Sequence, residues 1–106
     1  MRILLDQGTP APLRRALADH SVSTIYEKGW ATLTNGELLA AAEASFDVFV
    51  TTDKNLRFQQ NLAGRRLAIL VLPTTSWPRL QPHVAAIAAA VVLLRPGHLQ
   101  EWSFPD

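Results

Sequence analysis

Two short runs of the chain are apolar at every position, and they constrain the fold more than any other feature. One contains Val48, Phe49 and Val50, and the other covers residues 67–72. Strands that are apolar on both faces are typical of a parallel sheet, because its helical crossovers cover each face. A third apolar run, Arg2–Leu5, opens the chain. These runs therefore predict an α/β protein with a buried, mostly parallel sheet.

The segments between these runs carry helix signals. Thr9-Pro10 suits a helix start before residues 11–18, and Thr34 with Glu37 matches a capping box that begins a helix ending near Ser45. Residues 80–94 predict the last helix. Residues 21–26 predict a second strand, and the tail predicts an edge strand. We expect one domain over residues 1–106, with three α/β/α layers around a four- or five-stranded sheet.

Composition excludes several classes of protein. With 48% hydrophobic and 18% charged residues, the chain has the composition of a folded globular domain. The net charge of +1 gives no strong overall attraction to polyanions, and the absence of cysteine excludes disulfides and thiolate metal sites. The longest apolar run, residues 84–94, is too short to cross a bilayer, and the first residues lack a signal-peptide core. We expect a cytoplasmic protein that does not bind membranes.

Three acidic residues are candidates for a catalytic site. Asp6 and Asp53 each follow a predicted strand, and Glu37 lies in the first turn of a predicted helix. The carboxyl ends of parallel strands share one edge of the sheet, where ligands of open α/β folds bind. If the three carboxylates converge there, they predict a site for Mg²⁺ or Mn²⁺ that assists phosphodiester hydrolysis.

Each acid also has a structural interpretation. Asp53 suits the N-cap of a following short helix, Glu37 completes a capping box, and Asp6 suits a turn. Both interpretations stay open for all three residues.

Basic and amide residues follow Asp53 closely in sequence. Lys54, Asn55 and Arg57 are the candidate substrate-binding residues, and Arg65 and Arg66 extend the basic group. They predict either a phosphate-binding rim or a solvated surface. The tryptophans could stack on bases, although packing at the edge of the core is the more usual role of such residues.

The motifs MRILLD, NGELLAAAEA and VFVTTDKNL, in this order, resemble the PIN-like family of small single-domain proteins, which is related to the PIN ribonuclease toxins of toxin-antitoxin pairs. The resemblance covers residues 1–72. It implies a PIN-like fold, a metal site of Asp6, Glu37 and Asp53 that binds Mg²⁺ or Mn²⁺, and hydrolysis of RNA. It also implies as partners RNA, a cognate antitoxin and a second copy of the chain, contacted through Trp77, Trp102 or the last helix.

The chain departs from the family where relatives often carry acids, at Gln7, Asn35 and Asn55. This difference supports an alternative, a catalytically weak or inactive PIN-like module that binds a protein partner. A third interpretation is a phosphoacceptor receiver domain. That chemistry uses an acidic pair after the first strand and a lysine after the last one, whereas this chain has Asp6-Gln7 and no lysine after Lys54.

Overall fold

The computed structural model describes residues 1–56, 62 and 64–105. The strands are β1 (Arg2–Leu5), β2 (Ser21–Thr24), β3 (Val48–Thr51), β4 (Ala68–Val71) and β5 (Leu99–Glu101). The helices of this part of the chain are α1 (Leu13–Ala16), α2 (Asn35–Ser45), α3 (Trp77–Leu80) and α4 (Val84–Leu93), and a 3₁₀ turn, Gln81–His83, joins the last two.

The five strands form one sheet in the order β2-β1-β3-β4-β5, and every pair is parallel. The predictions of an α/β protein and of a tail strand are confirmed. From β1 the chain moves outward to β2, and from β3 it moves the other way to β4 and β5. This order places the reversal between β1 and β3, and open α/β sheets bind ligands beyond the carboxyl ends of the strands at such a point.

The alternating side chains of the strands divide the core between the two faces of the sheet. Leu5, Val50 and Leu70 belong to a cluster that packs against α1 and α4. Leu4 and Phe49 belong to the opposite cluster, which packs against α2. All of these side chains are buried, as expected for strands that are covered on both faces.

Two predicted helices differ from the structure. The last one is interrupted by the 3₁₀ turn because Pro82 lacks a backbone N–H and its ring clashes with the preceding turn. The first is only Leu13–Ala16, and Thr9 does not cap it. Instead, the Thr9 hydroxyl donates to the Val50 carbonyl oxygen at 3.2 Å, so this side chain ties the loop after β1 to β3.

The capping box of α2 is confirmed. The Thr34 hydroxyl accepts a hydrogen bond from the Glu37 backbone N–H, and the Glu37 carboxylate accepts one from the Thr34 backbone N–H. The helix ends at Ser45, as predicted. Within the described residues, no helix is long and apolar enough to span a bilayer.

Candidate functional site

Asp6 lies at the carboxyl edge of the sheet, next to the last residue of β3. The register pairs Leu5 with Val50, and the Asp6 backbone N–H donates to the Val50 carbonyl oxygen at 2.9 Å. The Asp6 side chain therefore meets Thr51, whose hydroxyl donates to Oδ2 of Asp6 at 2.6 Å. The other oxygen, Oδ1, accepts the Gln7 backbone N–H at 2.8 Å. Both oxygens of the carboxylate are thus oriented by neutral donors.

The Thr51 hydroxyl also contacts the second aspartate of the site. It accepts a hydrogen bond from the Asp53 backbone N–H at 3.1 Å while it donates to Asp6. Thr51 is completely buried. A buried hydroxyl needs hydrogen-bond partners, and this one finds them in both predicted site residues. The Asp6 carboxylate and the Asp53 backbone are therefore joined through Thr51 at the point where the strand order reverses.

Asp53 also shapes the turn that follows β3. Its Oδ1 accepts the Asn55 backbone N–H at 3.0 Å, and its carbonyl oxygen accepts that of Leu56 at 3.3 Å. These two hydrogen bonds form an Asx turn, and the short helix that Asp53 was predicted to cap extends outside the described residues. Both aspartate side chains remain partly exposed, so they are accessible to a ligand.

Glu37 lies at the start of α2 and is engaged there. Its Oε1 accepts hydrogen bonds from the backbone N–H of Thr34 at 3.0 Å and from the Thr34 hydroxyl at 2.9 Å. These two hydrogen bonds, the backbone one first, hold the pKa of the Glu37 carboxyl below its usual value. The carboxylate is therefore ionised at neutral pH.

One hydroxyl thus joins the Asp6 carboxylate to the backbone of Asp53, while the Glu37 carboxylate contacts its own helix start. Among the described residues, no three His, Asp or Glu side chains lie close enough together to hold a metal ion. The described Lys and Arg residues form no ion pair with Asp6 or Asp53, and the ion pairs seen in this part of the chain are Arg14–Glu27 and Arg65–Glu43. Among the described residues, the hydrogen-bond donors to the two aspartates are consequently neutral groups.

The loops around the aspartates are packed tightly. A Cβ added to Gly8 would collide with the Thr52 hydroxyl oxygen and touch the Thr75 methyl group at 3.5 Å. Glycine at position 8 therefore lets the loop after β1 approach the loops after β3 and β4.

The predicted phosphate-binding rim is divided between the two edges of the sheet. Lys54 and Asn55 are exposed next to Asp53, and Arg57 lies outside the described residues. Arg65 and Arg66 instead precede β4 at the amino edge, where both contact Glu43. Only the first part of the predicted rim is therefore near the aspartates.

A small cavity of about 270 Å³ adjoins Lys54 at the carboxyl edge, and its wall includes Pro73, Glu101 and Ser103. Trp102 also lines it, but this residue is half-buried and packs edge-on against Phe104, with ring centroids 5.3 Å apart. The tryptophans with described contacts pack at the edges of the two core clusters.

Sequence reasoning missed the role of Thr51. The signal was a polar residue at the end of a continuously apolar strand, since a buried hydroxyl in that position requires partners. The contact of Gly8 with Thr52 left no signal, because it joins two loops that are distant in sequence.

Comparisons with known proteins identify no relative of this chain: no family model matches, and neither a curated protein nor a solved structure shows significant similarity.

Proposed function

We propose that this protein is a metal-dependent ribonuclease of PIN-like type, with its active site at the carboxyl edge between β1 and β3. The observation that carries the proposal is the Thr51 hydroxyl, which contacts Asp6 and Asp53 at the reversal of strand order. The three-layer PIN-like architecture and a role as the toxin of a toxin-antitoxin pair belong to the same proposal and rest on the sequence motifs.

The donor set fits Mg²⁺ or Mn²⁺. These cations prefer oxygen ligands, and Mg²⁺ is commonly bound through one or two carboxylates together with waters and substrate phosphates. Each oxygen of Asp6 accepts one hydrogen bond, which leaves further lone pairs on both. No described cation competes for the two aspartates by forming an ion pair with them.

The chain's own residues have distinct roles in this proposal. Asp6 and Asp53 hold the cation, and Thr51 orients Asp6 and fixes the backbone at Asp53. Lys54 and Asn55 extend from the same turn and contact the phosphate of the substrate, and Arg57 is assigned the same role on sequence grounds. A bound divalent cation supplies an activated water and stabilises the charge that develops on the phosphate oxygens.

Glu37 is the third carboxylate of the proposed set. The helix α2 ends close to the start of β3, so its first turn lies toward the carboxyl edge. Its hydrogen bonds to Thr34 keep the carboxylate ionised. In this position Glu37 adds negative charge to the edge that binds the cation.

Titration of the purified protein with Mn²⁺ by calorimetry tests the proposal. We expect one saturable site that is weakened at least about tenfold by Asp6→Asn or Asp53→Asn, since each removes a charged ligand. Asparagine keeps an oxygen that can accept the hydrogen bonds of Thr51 or Asn55, so both variants should fold. Asp19→Asn, at an exposed aspartate after α1, is the matched control and should bind as the wild type does.

Cleavage of RNA is then measured with the same variants and with Glu37→Gln. Glutamine preserves a capping box, so a loss of cleavage in this variant reports the missing charge rather than a damaged helix. No saturable Mn²⁺ binding by the wild type, or equal binding by Asp53→Asn, would rule out the proposed site.

A second candidate is a PIN-like module without catalytic activity that binds a protein partner. The observations that favour it are the engagement of Glu37 in its cap and the amides at Gln7 and Asn55, which carry no charge into the site. Wild-type protein that binds no divalent cation would select this candidate over the nuclease.

A further inference from the structure

Helix α4 has an outer face that is entirely apolar. Its sequence, VAAIAAAVVL, contains no polar residue. Ile87 and Val91 are buried in the cluster that α4 shares with α1. The exposed residues, here called the α4 outer face, are Ala85, Ala86, Ala89, Val92 and Leu93.

This face is unusual for a helix at the surface of a domain. Surface helices carry polar residues opposite the stripe that packs on the core, and helices that are apolar all round are normally buried. Val92 is 58% exposed and Leu93 is 77% exposed. Contiguous exposed apolar residues mark sites of interaction, since leaving them in water has no structural benefit. The α4 outer face is therefore a docking surface.

The charged residues nearest to α4 along the chain have the same sign. Between residues 74 and 98 the chain contains two charged residues, Arg79 and Arg95, and no acid. Arg79 precedes α4 and lies over the Phe104 ring, 4.9 Å from its centroid, and Arg95 follows the end of α4. One arginine thus precedes α4 in the chain and one follows it.

We propose that the α4 outer face binds an amphipathic helix of another protein, which carries an apolar stripe and an acidic residue near each end of that stripe. The apolar stripe covers Val92 and Leu93, and the acidic residues pair with Arg79 and Arg95. Small side chains favour such a contact, because Ala85 and Ala89 allow a second helix to approach to about 8–10 Å between axes.

The charge pattern disfavours a second copy of this chain as the occupant. Antiparallel pairing of two α4 helices places Arg79 of one copy near Arg95 of the other, and parallel pairing places each arginine near its equivalent. Like charges meet in either orientation, which is unfavourable. A bilayer surface is also a poor match, since interfacial helices insert bulky Trp, Phe and Leu side chains, whereas most of this face is alanine.

A displayed library of helical peptides tests the proposal. The library keeps an apolar stripe matched to α4 and randomises the positions at both ends. Selection on the wild-type protein should enrich Asp and Glu at both ends. The enriched peptides should bind Leu93→Gln at least about tenfold more weakly, since burial of a leucine is worth about 1.5–3 kcal/mol. Their binding to Arg95→Gln should depend less on salt concentration than their binding to the wild type, because one of the two arginine pairs is lost.

Controls separate this interaction from folding and from the proposed active site. Leu93 is largely exposed, so Leu93→Gln should unfold at the same urea concentration as the wild type. Asp6→Asn should bind the peptides unchanged. Absence of enrichment, enrichment of neutral or basic ends, or unchanged binding by Leu93→Gln would overturn the proposal. So would a dimer in sedimentation, or binding to phosphatidylglycerol vesicles, that Leu93→Gln abolishes.

Discussion

Acidic residues at the two edges of the sheet differ in the charge of their described partners. At the amino edge, Glu43 forms an ion pair with Arg65 at 3.3 Å and accepts the Arg66 backbone N–H. At the carboxyl edge, Asp6 and Asp53 accept hydrogen bonds from neutral groups, and within the described residues neither has a cationic partner. Glu43 is thus paired with a cation, whereas the described partners of Asp6 and Asp53 are neutral.

The sizes of the cavities at the two edges do not follow this difference in the partners of the acids. The larger cavity, of about 560 Å³, is at the amino edge, and its wall includes Arg2, Glu43, Asp47 and Arg66. At this edge Glu43 pairs with Arg65, and Oδ2 of Asp47 accepts the neutral Arg2 backbone N–H at 2.8 Å. The cavity beside Lys54 is about half as large. The comparison teaches that the Glu43–Arg65 ion pair, rather than cavity volume, distinguishes the described residues of the two edges.

The largest expected effect on stability concerns two glycines that let neighbouring segments approach closely, Gly97 at the amino edge and Gly8 at the carboxyl edge. Gly97 has φ +79°, and an added Cβ would lie 2.6 Å from the Arg65 carbonyl oxygen. We expect Gly97→Ala to lower the free energy of unfolding by at least about 2 kcal/mol, since strain and a backbone clash add. Gly8→Ala should cost about 1 kcal/mol, because the Thr52 side chain can rotate away.

Urea denaturation of these variants measures the difference, and Gly29→Ala is the matched control. Gly29 has φ +75° with no atom within 4 Å of an added Cβ, so its substitution isolates the cost of the backbone conformation. If Gly97→Ala lowers the free energy of unfolding by no more than Gly29→Ala does, the packing at the amino edge is looser than the structure indicates.

A smaller effect tests the charge comparison directly. The Glu43 and Arg65 side chains are only 24% and 23% exposed, and Nε of Arg65 is buried without a partner among the described residues. We therefore expect Glu43→Gln to destabilise the protein by about 1–2 kcal/mol. Asp6→Asn should leave the stability unchanged within about 0.5 kcal/mol or raise it, because it removes a charge next to Asp53 and keeps an acceptor for Thr51.

Equilibrium unfolding in urea at neutral pH separates these outcomes. A loss of stability in Asp6→Asn equal to that in Glu43→Gln would show that the Asp6 carboxylate serves the fold, and the contrast between the edges would then fail.

The smallest effect is a dependence of stability on pH. Hydrogen bonds from the Thr34 backbone and hydroxyl hold the pKa of Glu37 below its usual value in the folded chain. When the pKa of an acid is lower in the folded protein than in the unfolded chain, its ionisation stabilises the fold at pH values above the unfolded pKa. This contribution to stability is lost as the pH falls through the pKa of the folded protein. Unfolding midpoints measured from about pH 6 to about pH 3 should fall less steeply for Glu37→Gln than for the wild type.

Glu27 provides the comparison within this experiment. Its pKa is also lowered, first by the hydrogen bond from the Thr24 backbone and then by Arg14. Glu27→Gln should also make the unfolding midpoint fall less steeply at acid pH than it does in the wild type. If neither variant changes how steeply the unfolding midpoint falls at acid pH, the lowered pKa of both glutamates would be contradicted.

Local sequence signals predicted most of the fold. Thr34 and Glu37 determine the start of α2 because their side chains bond backbone groups three residues away, and no distant partner is needed. The continuous apolar residues of β3 and β4 predicted burial on both faces, and both strands are buried and parallel. The interruption after α3 was present in the sequence as Pro82, but the apolar pattern around it concealed the break.

The sequence by itself also determined which residues could form a site, since Asp6 and Asp53 each end a strand. The tertiary structure alone decided how they meet. Contacts such as the hydroxyl of Thr51 on Asp6, or Gly8 against Thr52, join segments more than 40 residues apart. Their geometry depends on strand order and register, which local propensities do not encode. For the same reason, Arg65 and Arg66 follow Asp53 closely in the chain but lie at the opposite edge of the sheet.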